Sequence, residues 1–84
     1  MWQNQAMHTV RFFAAARAAV GASELSLELS TLEDLRQFCR AHSEEFGNLI
    51  QSCTFLVDGI SESNFNKSLA QGVEIHVLPK FAGG

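Results

Sequence analysis

Cysteine is scarce, with two in 84 residues, too few for a disulfide scaffold and in keeping with a reducing compartment. Positive charge is short as well. Six basic residues stand against nine acidic ones, giving a net charge of −3. That argues against a nucleic-acid partner, because neutralising phosphates takes a surplus of Lys and Arg. No apolar stretch approaches the roughly 18 to 20 uncharged residues that span a bilayer. The opening Met1-Trp2-Gln3-Asn4-Gln5-Ala6 has neither the basic patch nor the apolar run of a signal peptide. What is present is 46% hydrophobic and 18% charged, a globular mix whose length allows one domain. The reading is a small, soluble, cytoplasmic domain with no membrane partner.

Residues 1–6 are polar and patternless and read as a disordered tail, with Met7 able to serve as the start of the fold. From His8 to Phe13, His8, Val10 and Phe12 alternate with Thr9, Arg11 and Phe13, which predicts a strand. Ala14 to Val20 has strong helix propensity and Gly21 stops it. Glu24 to Ser30 alternates without a break, with Leu25, Leu27 and Leu29 on one face. A helix follows, opened by a capping box of Ser30 with Glu33 or of Thr31 with Asp34. Its apolar stripe is Leu32, Leu35, Phe38, Cys39, His42 and Phe46, and Gly47-Asn48 is expected to end it. Thr54 to Val57 reads as a strand before the Asp58-Gly59 turn, Ile60 to Lys67 as irregular, and Val73 to Leu78 as the last strand, closed by Pro79.

One amphipathic helix needs a sheet face to cover, so the order predicts a two-layer α+β domain over residues 7–79. Val10, Phe12, Leu25, Leu27, Leu29, Leu32, Leu35, Cys39, Phe55, Val57, Ile75 and Val77 are expected between the layers. On the opposite face, Phe13 and Leu78, joined by Leu56, should form an apolar patch of the kind that marks a partner site.

Catalytic constellations are absent. His8, Cys39, His42, Cys53 and His76 lack the paired spacing of a zinc site, so no metal is expected. Cys39 and His42 sit one turn apart, as any pair on an apolar stripe does. The terminal Gly83-Gly84 is no phosphate-cradling loop, since no helix follows it. Two consecutive glycines at a terminus arise by chance about once in 200 chains. One reading of them is a frayed end. The other is a flexible arm over residues 80–84 that is built to be threaded. Glycine lets a partner's backbone approach closely, and Gly84 offers an unhindered carboxylate for another enzyme to activate.

Val10-Arg11-Phe12-Phe13-Ala14 followed by Arg17 and Val20-Gly21, then Thr31-Leu32-Glu33-Asp34-Leu35, and above all Leu78-Pro79 through Phe81-Ala82-Gly83-Gly84, resemble the ubiquitin-like sulfur carriers of the MoaD/ThiS family, nearest the small subunits of molybdopterin synthases. The resemblance covers about residues 7–84 and is most specific in the tail. It implies a ubiquitin-like β-grasp fold, with a mixed sheet on one main helix and the first and last strands parallel neighbours. It also implies a cycle in which an E1-like adenylating enzyme uses ATP to activate Gly84 and a sulfur donor makes the thiocarboxylate. The molybdopterin synthase large subunit then receives the tail for sulfur transfer to a cyclic pyranopterin phosphate. The carrier itself would bind no cofactor. Phe81, Ala82 and Gly83 form the arm, with Phe81 a natural anchor. Phe13, Leu78, Arg17 and Lys80 are expected to meet partners, Arg17 either by pinning its loop to the tail base or by pairing with a partner carboxylate. The chain departs from the family pattern at Lys80, where a second proline is usual, at the turn Ala70-Gln71-Gly72-Val73 and in the polar stretch Ser61 to Ser68. Carriers for thiamine or cysteine biosynthesis, a ubiquitin-like modifier and a plain binding module remain as alternatives.

Overall fold

A computed structural model of the chain describes residues 6–80. Residues 1–5 of the expected N-terminal tail and Phe81 to Gly84 of the expected carrier arm lie outside the described residues. The elements run β1 (Ala6–Phe12), α1 (Ala14–Val20), β2 (Glu24–Leu29), α2 (Leu32–His42), α3 (Glu44–Ile50), β3 (Thr54–Val57), β4 (Ile60–Ser61) and β5 (Glu74–Leu78). The strands form one mixed sheet in the order β2-β1-β5-β3-β4. β1 runs antiparallel to β2 and parallel to β5, with Val10 beside both Leu25 and Ile75. The first and last strands are therefore the parallel neighbours that the resemblance implies.

One sheet face and the helices enclose the core. Val10, Phe12, Leu29, Leu32, Leu35, Cys39, Phe55, Ile75 and Val77 are buried as expected. Leu25, Leu27 and Val57 are only half-buried and pack on the rim of the core, the two leucines because β2 is an edge strand. Ala16, Phe46, Ile50 and Val73 complete the core, and Phe12 meets Phe46 edge-on at 5.8 Å between ring centroids. Of the two possible capping boxes, the chain uses Thr31 with Asp34. Thr31 Oγ1 accepts from the Asp34 N–H, and the Asp34 carboxylate accepts from the Thr31 and Ser30 N–H groups.

The expected single helix is two. Ser43 takes an extended conformation (φ −167°, ψ 156°), ending α2 and capping α3 through a 3.0 Å hydrogen bond from the Phe46 N–H to its Oγ. A serine that can cap offers the backbone an alternative to continuing the helix. His42 is thereby exposed, stacked on Phe38 rather than buried in the stripe. Gly47 does not stop the helix either. It is buried within α3, and a Cβ there would stand 3.2 Å from Arg40 Cα, so the absent side chain lets the two helices approach. Two further boundaries shift. Ile60-Ser61, expected to be irregular, pairs with β3 across a two-residue turn in which Asp58 (φ 50°) and Gly59 (φ 84°) are both left-handed. Phe13 leaves β1 to act as the N-cap of α1, followed by Ala14 at φ 51°.

Candidate functional site

The uncovered sheet face carries the residues that alternate with the core positions. Leu78, at the end of β5, is opposite Thr54, and His76 is opposite Leu56. In the parallel β1–β5 ladder Phe12 pairs with Val77, and the Phe13 N–H donates to the Val77 carbonyl at 3.2 Å. The Phe13 side chain therefore lies on the open face beside the end of β5, where the polypeptide continues through Pro79 and Lys80 into the tail. Phe13 is 37% exposed and Leu56 and Leu78 are half-buried. The structure thus sets Phe13, Leu56 and Leu78 on one face at the root of the tail.

Beside this apolar corner lies an ionic chain that sequence reasoning missed. Arg11 Nε donates to Glu74 Oε2 at 2.8 Å, and Arg11 Nη2 is 3.4 Å from Glu24 Oε1. Glu74 Oε2 also lies 2.7 Å from His76 Nε2. The chain crosses β2, β1 and β5. Hydrogen bonding from His76 first, and then from Arg11, holds the Glu74 carboxyl below the usual carboxylate range, against the opposing effect of desolvation. His76 joins the two halves of the face, because its ring also meets Phe13 edge-on at 5.3 Å. Alternation marks Arg11, Glu24, Glu74 and His76 as outward, but only the strand order brings them together.

Arg17 lies in α1, one turn beyond Phe13, with its N–H directed to the Phe13 carbonyl at 3.4 Å and its own carbonyl accepting from the capping N–H of Gly21. Its side chain is exposed and makes no ion pair among the described residues. Lys80 is exposed just past Pro79. Phe81, Ala82, Gly83 and Gly84 fall outside the described residues.

The remaining reactive side chains are directed elsewhere. Burial, with Cys53 nearby, pushes the Cys39 thiol up to about 12, and burial pushes Cys53 up to about 11. Neither is a ready nucleophile at neutral pH. Among the described residues no group of three or more His, Cys, Asp or Glu is placed to hold a metal ion, and no helix is long and apolar enough to cross a membrane. His8 is buried at 2% exposure, with Nδ1 3.0 Å from the Val73 carbonyl. It ties β1 to the start of β5 on the covered face, away from the apolar corner.

Among the described residues the open face thus carries an apolar corner at the end of β5 and an ionic chain beside it. Solved structures share this architecture. Molybdopterin-converting factor of Helicobacter pylori, a complex of subunits 1 and 2, contains a chain similar at 24% identity and TM-score 0.69, covering 93% of this chain and 99% of that one. A Pyrococcus furiosus protein provisionally assigned as molybdopterin converting factor subunit 1 is similar at 22% identity and TM-score 0.77, covering 90% and 99%. Small archaeal modifier protein 1 of Haloferax volcanii is similar at 18% identity and TM-score 0.70, again covering 90% and 99%. No curated protein sequence matches. These likenesses are in fold, the ubiquitin-like β-grasp. A family model described as the ThiS family matches residues 10–84, so the chain belongs to that family of ubiquitin-like sulfur carriers.

Proposed function

We propose that the chain is the sulfur-carrying small subunit of a molybdopterin synthase. The observation that carries the reading is the apolar corner of Phe13, Leu56 and Leu78 at the root of a tail ending in Gly83-Gly84. Apolar side chains left open on a sheet face are suited to a partner surface, and here they stand at the strand end from which the chain runs on to Gly84. The fold likeness to a subunit 1 solved in complex with its subunit 2 supports a large-subunit partner.

In this reading the Gly84 carboxylate attacks the α-phosphorus of ATP within an E1-like enzyme, and pyrophosphate leaves. Sulfur from a donor then displaces AMP from the acyl adenylate and leaves a C-terminal thiocarboxylate. The large subunit takes in the tail, and two loaded carriers in turn deliver sulfur to a cyclic pyranopterin monophosphate to build the dithiolene. The chain is then a co-substrate that belongs to a transferase only in complex, binds no cofactor of its own and works in the cytoplasm as part of a heterotetramer. Phe81 anchors the arm, Phe13 and Leu78 grip the partner face, and Arg17 and Lys80 add positive charge near the root.

Incubation with its adenylating enzyme, ATP and a sulfur source should raise the intact mass by one oxygen-to-sulfur exchange, and loss of Gly84 should abolish it. An unchanged mass with a competent partner overturns the proposal. A second reading, a protein modifier, is favoured by the fold likeness to small archaeal modifier protein 1. It predicts Gly84 in isopeptide linkage to lysines of other proteins. Service to thiamine or cysteine biosynthesis would appear as co-purification with a different synthase.

A further inference from the structure

Among the described residues β2 is an edge strand, with only β1 beside it, and the register shows which of its backbone groups are free. The Phe12 N–H donates to the Ser23 carbonyl at 2.9 Å, so in the antiparallel ladder the hydrogen-bonded pairs recur at Val10 with Leu25, His8 with Leu27 and Ala6 with Leu29. The N–H and C=O groups of Glu24, Ser26 and Glu28 therefore point away from the sheet. At Ser30, the next position of the same parity, the outward carbonyl accepts from the Leu69 N–H at 2.9 Å, and Thr31 bridges Ser68. The loop before β5 thus covers the far end of this edge and stops short of Glu28. The stretch Glu-Leu-Ser-Leu-Glu-Leu contains no proline and no lysine, and its register with β1 is unbroken by a bulge. Of the usual guards of an exposed edge, proline, lysine and a bulge are missing, and the only charges are the acidic Glu24 and Glu28.

The side chains state what would fit. On the covered side Leu25 and Leu27 are half-buried, with apolar surface remaining at the rim. On the open side Glu24, Ser26 and Glu28 are exposed. Glu24 is engaged by Arg11, whereas Glu28 makes no ion pair among the described residues and pairs across the ladder with Met7, itself 56% exposed. A second copy is a poor occupant, because the centred self-pairing of Ser26 on Ser26 sets Glu24 against Glu28 at both ends, and like charges directly opposite are unfavourable.

We infer that the β2 edge is a docking strand for an extended partner segment in which apolar residues alternate with Lys or Arg. The apolar residues continue the row of Leu25 and Leu27, the cations face Glu28, and main-chain hydrogen bonds to Glu24, Ser26 and Glu28 supply the pairing. This site is separate from the apolar corner, with β1 between them, so one partner can engage both.

The test uses the full isotope-labelled chain and two short capped peptides, one alternating valine with lysine and the other valine with glutamate. The lysine peptide should slow amide exchange at Glu24, Ser26 and Glu28 and shift their resonances, and the glutamate peptide should do neither. Glu28→Lys, a surface change whose fold is checked by its amide spectrum, should weaken the lysine peptide roughly fivefold. Equal binding of both peptides, or perturbation centred on Phe13, Leu56 and Leu78, overturns the inference. So does an absence of binding, or protection of the edge that rises with protein concentration alone, which would assign it to a second copy.

Discussion

Adding one methyl group at Gly47 tests the packing of α2 against α3, because two effects of opposite sign meet there. Alanine is a better helix former than glycine by about 1 kcal/mol, so a solvent-facing glycine in α3 should gain from the change. At Gly47 the new Cβ would stand 3.2 Å from both Cα and Cγ of Arg40 and 3.5 Å from its Cβ. The Cγ can swing aside, since the Arg40 side chain is half exposed. The Cα cannot, because it belongs to the backbone of α2 and moves only if that helix moves. Overpacking of this kind costs about 1 to 3 kcal/mol, which outweighs the propensity gain. Gly47→Ala should therefore lose about 1 kcal/mol net, lowering Tm by about 4 to 8 °C in a domain of this size. Thermal and urea unfolding followed by circular dichroism read the change directly. A variant more stable by several degrees would refute the reasoning, because it would mean that the helices yield at that contact without cost.

Four further outcomes are expected. Phe13→Glu places a charge in the apolar corner and should weaken binding of the large subunit at least tenfold by calorimetry, while the amide spectrum keeps its native pattern away from the open face. Ala14→Gly should change stability by no more than about 0.5 kcal/mol, since relief of a left-handed alanine (φ 51°) offsets the added chain entropy. Ala16→Gly, at a buried position of α1, should cost about 1 kcal/mol or more by urea unfolding. Acid should weaken the fold partly through Glu74. Its carboxyl is held below the usual range by His76 and Arg11, so the folded state binds its proton less readily than the unfolded chain. The resulting stability is present above the ordinary carboxylate range and is lost as pH falls through the lowered value. Glu74→Gln should therefore flatten the decline of the urea midpoint on the acid side, with a remaining slope from Glu62, whose carboxyl is lowered chiefly by the Asn64 N–H.

Periodicity was enough to place the central strands, since Val10 and Phe12 or Ile75 and Val77 are buried at every second position, and a one-residue slip would turn each set outward. The apolar corner was legible for the same reason, as Phe13 and Leu78 alternate with buried neighbours. Leu25 and Leu27 read equally well as core, and only the strand order shows them at an edge with half their cover missing. The break at Ser43 was obscured because the apolar stripe runs on to Phe46, while a single extended residue separates the helices. The ionic chain from Glu24 through Arg11 and Glu74 to His76 joins three strands distant in sequence, so no local pattern contains it.

The position of β5 has a mechanical consequence. Its backbone is bonded on one side to β1 and on the other to β3, and in sequence only Pro79 to Gly84 follow it. A tug on the arm along the strand direction strains both ladders sideways, all rungs together, instead of peeling an outer strand one rung at a time. In the proposed cycle, an enzyme drawing the carboxyl end into itself would pull against a root stitched into the middle of the sheet, and release would return a domain that has kept its shape for the next load.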